Sequence, residues 1–109
     1  MRTFMSLLMM ASLSTLVVLQ ACKMHEPFKD IPVTKDVSFE KHIRPITSTV
    51  CISCHSQGSR DYSSYRNAFR MRQSIYQRVV VDRTMPAGKY LSDEDRALFR
   101  DWVNQGGNQ

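Results

Sequence analysis

The chain has 109 residues, a formal net charge of +5, and 42% hydrophobic against 23% charged residues. This length allows at most one domain, and so mild a charge balance gives no argument for a nucleic-acid partner. If the three cysteines formed disulfides, one thiol would be left unpaired in an oxidising compartment.

Residues 1–21 have the pattern of an export signal. Arg2 precedes an uncharged apolar run at 4–19, which suits a signal-peptide core and is a little short for a membrane span of ~20 residues. The run continues into LQAC, which resembles the lipobox of bacterial lipoproteins, although Gln20 departs from that pattern. We predict cleavage before Cys22, acylation of its thiol, and a periplasmic protein anchored to a bacterial membrane by lipid. Plain secretion and an uncleaved anchor are the alternatives.

Residues 22–36 mix charged residues with Pro27 and Pro32 and show no sustained hydrophobic period. Such a composition is typical of an extended connecting segment. We therefore predict a signal sequence at 1–21, a tether at 22–36 and one domain at 37–109. A domain this small has little room for a self-sufficient core, so a flat apolar cofactor at its centre would stabilise it.

The first helix of the domain is predicted to begin after Ser38, a residue type that often caps helices. Phe39, Ile43 and Ile46 follow at helical spacing. Pro45 lies within this pattern. Because proline lacks an N–H and crowds the preceding turn, we expect it to kink or divide the helix.

A second amphipathic helix is predicted from Ser63 or Ser64 onward, after a loop at 56–64. We expect a break near Gln73 and Ser74. The mostly apolar residues that recur at three- and four-residue steps are Tyr65, Ala68, Phe69, Arg72, Ile75, Tyr76, Val79 and Val80.

A last helix is predicted after a loop at 83–90, which is marked by Pro86 and Gly88. Ser92 is the predicted N-cap and Gly106 the predicted C-terminal stop. The apolar face of this helix consists of Leu98, Trp102 and Val103. No segment has a convincing strand pattern, so the predicted fold class is all-α.

Residues 51–55 read Cys-Ile-Ser-Cys-His. On a helical turn the thiols of Cys51 and Cys54 project to one side, where they can capture the two vinyl groups of a porphyrin, and His55 can ligate its iron. This spacing is the attachment signature of c-type haem. A redox dithiol is one alternative, but it favours a βαβ neighbourhood. A zinc site is another, and it would need His25 or His42 as a fourth ligand.

The second axial position of such an iron needs a ligand of its own. Met85, in the run TMPAG, offers a thioether on a loop fixed by the following proline. A sulfur ligand raises the reduction potential, which suits an electron carrier. Met71 is a competitor for which ordinary packing is the favoured role, and His42 would give a bis-histidine site.

Three segments, FEKHIRPI, CISCH and VVVDRTMPAGKYLSDEDRALFRDWVNQGG, follow one another between residues 37 and 107. Together they resemble the small mono-haem domains of the cytochrome c superfamily, of the exported bacterial kind. The resemblance implies three to five helices around one covalent haem c, with the first and last helices packed beside it. It also implies thioether attachment at Cys51 and Cys54, iron ligation by His55 and Met85, a ligand loop fixed by Pro86, and a pocket wall at Trp102. Only 29 residues separate His55 from Met85, fewer than in longer cytochromes, so we expect one haem edge to be more exposed.

Basic residues outnumber acidic ones between residues 58 and 90, where Asp61 and Asp82 are the acidic residues. A basic rim around a haem edge would attract an acidic redox partner. The alternative is an ordinary solvated helix face. The basic residues are Arg60, Arg66, Arg70, Arg72, Arg78, Arg83 and Lys89.

These patterns favour a lipid-anchored c-type cytochrome that carries single electrons between periplasmic or membrane-bound partners. Such a protein is not an enzyme and needs no small-molecule substrate. The main alternative is a haem-based sensor or gas-binding domain, in which the sixth ligand is labile. A peroxidase-like centre would need a distal group over open iron, for which His42 is the histidine candidate within the domain.

Overall fold

The computed structural model of the protein describes residues 27–109. The predicted signal sequence, the predicted lipidation site Cys22 and the first part of the predicted tether lie outside the described residues. Those described are helical, with four helices and no strand, which confirms the all-α class. Among them, no helix has both the length and the apolar character needed to cross a membrane.

The first helix, α1, occupies residues 39–51 in three consecutive segments, Phe39–Ile43, Arg44–Ile46 and Thr47–Cys51. The Ser38 side chain caps it by accepting a hydrogen bond from the Lys41 N–H at 3.3 Å, as predicted. Pro45 divides the hydrogen-bonding pattern without ending the helix. The outer segments use wider turns, as in the hydrogen bond that the Arg44 N–H donates to the Phe39 carbonyl, and Pro45 between them has no N–H to donate.

The second helical region consists of α2, Tyr65–Arg70, and α3, which comprises Arg72–Ile75 and Tyr76–Val81. Met71 separates them with a non-helical ψ of 11°. The break that the sequence predicted near residues 73 and 74 therefore lies slightly earlier. A short 3-10 turn, Gly58–Arg60, precedes α2.

The last helix, α4, spans Asp93–Asn104. The Ser92 side chain accepts a hydrogen bond from the Asp95 N–H at 3.1 Å, which confirms the predicted N-cap. Gly106, just beyond the helix end, has a φ of +99°. Glycine tolerates this region, so it can close the helix as predicted.

The hydrophobic core forms where α4 packs against α1 and the end of α3. Phe39 of α1 lies between two aromatic rings, with centroid distances of 5.6 Å to Tyr65 and 5.8 Å to Trp102. Val80 of α3 and Phe99 of α4 are each 1% exposed. The first and last helices thus share one core, as the sequence resemblance implied.

The described part of the predicted tether packs on α4. The Arg100 guanidinium donates hydrogen bonds to the carbonyls of Pro27, Phe28 and Ile31, and Asp101 accepts one from the Thr34 N–H at 2.9 Å. Both α4 side chains are buried, and a buried charge needs such partners. The segment 27–36 is therefore held against α4 by hydrogen bonds, directly before the domain predicted to begin at residue 37.

Candidate functional site

A cavity of about 360 Å³ opens between the end of α1, α3, the loop at 83–90 and α4. Five of the residues predicted to act together line it, namely Cys51, Cys54, His55, Met85 and Pro86. Two thiols, an imidazole and a thioether thus share one void, although the sequence separates them into two motifs. This convergence is the main feature of the site.

The end of α1 positions both thiols. The helical turn continues past the end of α1, because Cys54 N–H and His55 N–H both donate to the Cys51 carbonyl, at 3.2 and 2.9 Å. Cys51 is half-buried and Cys54 is exposed. Burial raises the pKa of the Cys51 thiol, and the nearby ammonium of Lys89 partly opposes this.

His55 is half-buried beside Tyr62, with ring centroids 4.8 Å apart and planes at 25°. Within residues 27–109, its Nδ1 atom is buried and has no hydrogen-bond partner. A buried polar atom without a partner costs about 1–3 kcal/mol. The imidazole is thus incompletely satisfied by the described residues, which fits a role in binding a ligand.

Met85 lies on the loop after α3, and its main chain is tied back to that helix. The N–H groups of Thr84 and Met85 donate to the Arg78 carbonyl at 2.9 and 3.3 Å. The Met85 side chain borders the cavity and is 36% exposed. Its competitor Met71 packs against the hydrophobic core and does not line the cavity.

Trp102, which the sequence resemblance implied as a pocket wall, does not line this cavity. It is fully buried in the core, packs against Phe39, and donates from its indole Nε1 to the Asn108 carbonyl at 2.8 Å. Phe99, one turn earlier on α4, lines the cavity in its place. Phe99 and Trp102 are three residues apart, so they lie on neighbouring parts of the same helix face. Helical spacing alone therefore could not show which of them lines the cavity.

The composition of the cavity wall could not be predicted from the sequence. Apart from the histidine, the charged side chains that residues 27–109 contribute to this wall are the basic Arg78 and Lys89, with no acidic side chain among them. Lys89 Nζ donates to the Ser53 hydroxyl at 2.6 Å, which ties the 83–90 loop to the turn after α1. Most of the remaining wall is apolar, with Val79 and Phe99 among its members. The cavity suits an apolar ligand that carries anionic groups at its edge.

His42 is engaged at the start of its own helix. Its Nδ1 accepts a hydrogen bond from the Ser38 N–H at 3.1 Å, and it does not line the cavity. In the described part of the chain, no three His, Cys, Asp or Glu side chains are grouped so as to hold a metal ion.

No protein-family model, curated protein or solved structure matches the chain. A functional assignment therefore depends on the residues of the cavity and on their chemistry.

Proposed function

We propose that the chain is a c-type cytochrome that carries single electrons. One haem c would be held covalently by Cys51 and Cys54, and His55 and Met85 would ligate its iron. The observation that carries the proposal is the convergence of CISCH with the Met85–Pro86 loop on one cavity. Two thiols at this spacing, followed directly by histidine, are the attachment pattern of this cofactor.

The cavity supports the proposal in its size and its lining. Its volume of about 360 Å³ falls in the range of cofactor pockets, roughly 300–1,000 Å³. Apolar side chains such as Val79 and Phe99 suit a porphyrin face, and Arg78 and Lys89 supply positive charge for its propionates. The incompletely hydrogen-bonded imidazole of His55 suits a metal ligand.

Each residue has a distinct task in this proposal. A bound haem supplies an iron that changes charge by one electron. His55 would ligate this iron through its imidazole, and the Met85 thioether would favour the reduced state, which would raise the reduction potential. The apolar wall excludes water, which lowers the local dielectric constant.

The proposed setting is the periplasm, with a lipid on Cys22 that anchors the protein to a bacterial membrane. Redox partners would be proteins with an acidic docking surface. Arg78 and Lys89 are exposed at the cavity, where positive charge would accelerate the encounter with such a partner.

The optical spectrum tests the proposed function. The full chain is matured in a periplasm that attaches haem, then measured oxidised and reduced, with and without carbon monoxide. We expect a low-spin haem whose reduced spectrum does not respond to carbon monoxide. A preparation without haem would contradict the proposal.

A haem-based sensor is the second candidate, because the Met85 side chain is 36% exposed on a loop and such a ligand is open to displacement. In that case the reduced spectrum would shift with carbon monoxide in the unmodified protein. The same measurement therefore separates the two functions.

A further inference from the structure

We infer that Arg96 is the positioning residue for the Met85 ligand, an inference that rests on the proposed function. Arg96 lies in the first turns of α4 and is 8% exposed. Its Nη1 donates hydrogen bonds to the carbonyls of Val79 and Met85, at 2.7 and 2.8 Å. One buried guanidinium thus joins the end of α3, the ligand loop and α4.

The charge of Arg96 is balanced by main-chain carbonyls and not by a carboxylate. Among residues 27–109 it makes no salt bridge, and its two hydrogen bonds are to main-chain carbonyls. Val79 lies in the last turn of α3, where carbonyls lack helical partners and the helix dipole favours a cation. Arg96 satisfies that helix end and uses the same nitrogen to hold Met85.

The main chain of Met85 is consequently held from both sides. Its N–H donates to the Arg78 carbonyl at 3.3 Å, and its own carbonyl accepts from Arg96 at 2.8 Å. A methionine side chain is flexible, so the position of its sulfur depends on a fixed backbone. Preorganising the ligand in this way raises the fraction of iron that Met85 occupies.

Arg100 provides a matched control on the same helix. It is 6% exposed, and its guanidinium bonds to the carbonyls of residues 27, 28 and 31 and to the Asp101 carboxylate. None of these contacts involves the ligand loop. A substitution of Arg100 should therefore destabilise the fold about as much as one of Arg96, but it should leave the hydrogen bonds of Met85 intact.

The experiment compares Arg96→Lys with Arg100→Lys in the haem-loaded full chain. Lysine keeps the charge but ends one bond short of the position of Nη1, so the hold on Met85 weakens. We expect the reduced Arg96→Lys protein to bind carbon monoxide at least about tenfold more tightly than the upper limit set by the unresponsive wild-type chain, since charge-assisted hydrogen bonds contribute about 1.5–3 kcal/mol. The reduction potential should fall as well. Arg100→Lys should leave both quantities at the wild-type value.

Two further comparisons separate positioning from a general loss of structure. In a Met85→Ala background, Arg96→Lys should not raise the carbon monoxide affinity further, because no ligand is left to position. In the Met85→Ala protein, where the iron no longer holds the side chain at position 85, hydrogen exchange of the Arg96 guanidinium should be faster than in the unsubstituted protein and that of Arg100 should not change, by reciprocity of coupling. The second comparison needs no arginine variant and holds even if Arg96→Lys does not fold.

Equal effects of the two lysine variants on carbon monoxide affinity would overturn the inference, and so would an unchanged exchange rate at Arg96. Failure of the proposed function has a different signature. The unsubstituted chain would then lack haem, or Met85→Ala would leave the spectrum unchanged, whatever residue stands at position 96.

Discussion

At the scale of single residues, Met85 and Met71 lie in different environments, although both are methionines near the same helices. Met85 borders the cavity with 36% of its surface exposed, whereas Met71 packs against the core. We predict that Met85→Ala opens the sixth position of the iron, so that the reduced spectrum responds to carbon monoxide and the reduction potential falls.

Met71→Ala is the control for that substitution. It removes the same atoms from a partly buried position packed against the core, so it should cost up to about 2 kcal/mol of unfolding free energy and leave the spectrum unaltered. If instead Met71→Ala made the iron reactive and Met85→Ala did not, the ligand assignment would be wrong.

The two thiols should differ in reactivity before haem is attached. Burial raises the pKa of Cys51, which lowers its fraction of reactive thiolate, and Cys54 is the more exposed of the two side chains. We predict that iodoacetamide labels Cys54 first in the reduced, haem-free chain, as followed by peptide mass spectrometry. Equal labelling rates would contradict the described burial.

The same shift makes the haem-free fold sensitive to alkali. The folded state binds the Cys51 proton more tightly than the unfolded chain, in which the pKa is about 8.5. Stability is therefore fully present below that value and is lost as the pH rises through the higher folded pKa. Urea midpoints of the reduced haem-free chain should fall between pH 8 and pH 10, and Cys51→Ser should reduce this dependence.

The site residues could be predicted where chemistry and spacing coincide. The thiols and imidazole of 51–55 are adjacent in the sequence, and Met85 is marked by the proline that follows it. Phe99 could not be distinguished from Trp102, because two residues three apart on a helix lie on overlapping faces. Arg78 was noted only as part of a basic stretch, since the sequence did not locate the cavity.

At the scale of elements, the caps of α1 and α4 followed from Ser38 and Ser92, whose hydroxyls accept the expected main-chain bonds. Capping is a local property, so it is visible in a few residues. The docking of residues 27–36 was missed because it depends on Arg100 and Asp101, which lie far away in the sequence. Polar segments without periodicity give no signal of such partners.

The docked segment leads to a prediction about α4. Asp101 is 2% exposed and accepts hydrogen bonds from the Thr34 N–H and from Arg100 Nε, at 2.9 and 2.7 Å. Asp101→Asn leaves the buried Arg100 without its counter-charge, which should cost about 3–5 kcal/mol of unfolding free energy. Urea unfolding measures this loss, and trypsin should cleave more rapidly after Lys29 and Lys35.

Glu94→Gln is the matched control on the same helix. Glu94 is exposed in the first turn of α4, so only its interaction with the helix dipole is lost, about 0.3–1 kcal/mol. If both variants lost the same unfolding free energy, the ion pair of Arg100 and Asp101 would not be what holds the segment 27–36 on α4.

At the scale of the whole molecule, the placement of charge determines how a partner would approach. Arg78 and Lys89 lie at the cavity, whereas Arg66 is exposed on α2 away from it. We predict that the rate of electron transfer with an acidic redox protein falls as salt shortens the Debye length, from about 30 Å at 0.01 M to about 10 Å at 0.1 M. Lys89→Gln should lower the low-salt rate and flatten its salt dependence.

Arg66→Gln serves as the control for position, since it removes the same charge from a different face. Stopped-flow mixing over a series of ionic strengths measures both variants. If Arg66→Gln slowed the reaction as much as Lys89→Gln, net charge rather than the cavity rim would guide the encounter.

The central claim is that Cys51 and Cys54 hold a haem covalently in the cavity. The most direct measurement is the mass of the full chain under denaturing conditions, after expression in a periplasm that attaches haem. The account predicts a gain of one haem that survives denaturation, and its loss when both cysteines are changed to alanine. A chain of unmodified mass at both cysteines would contradict the account.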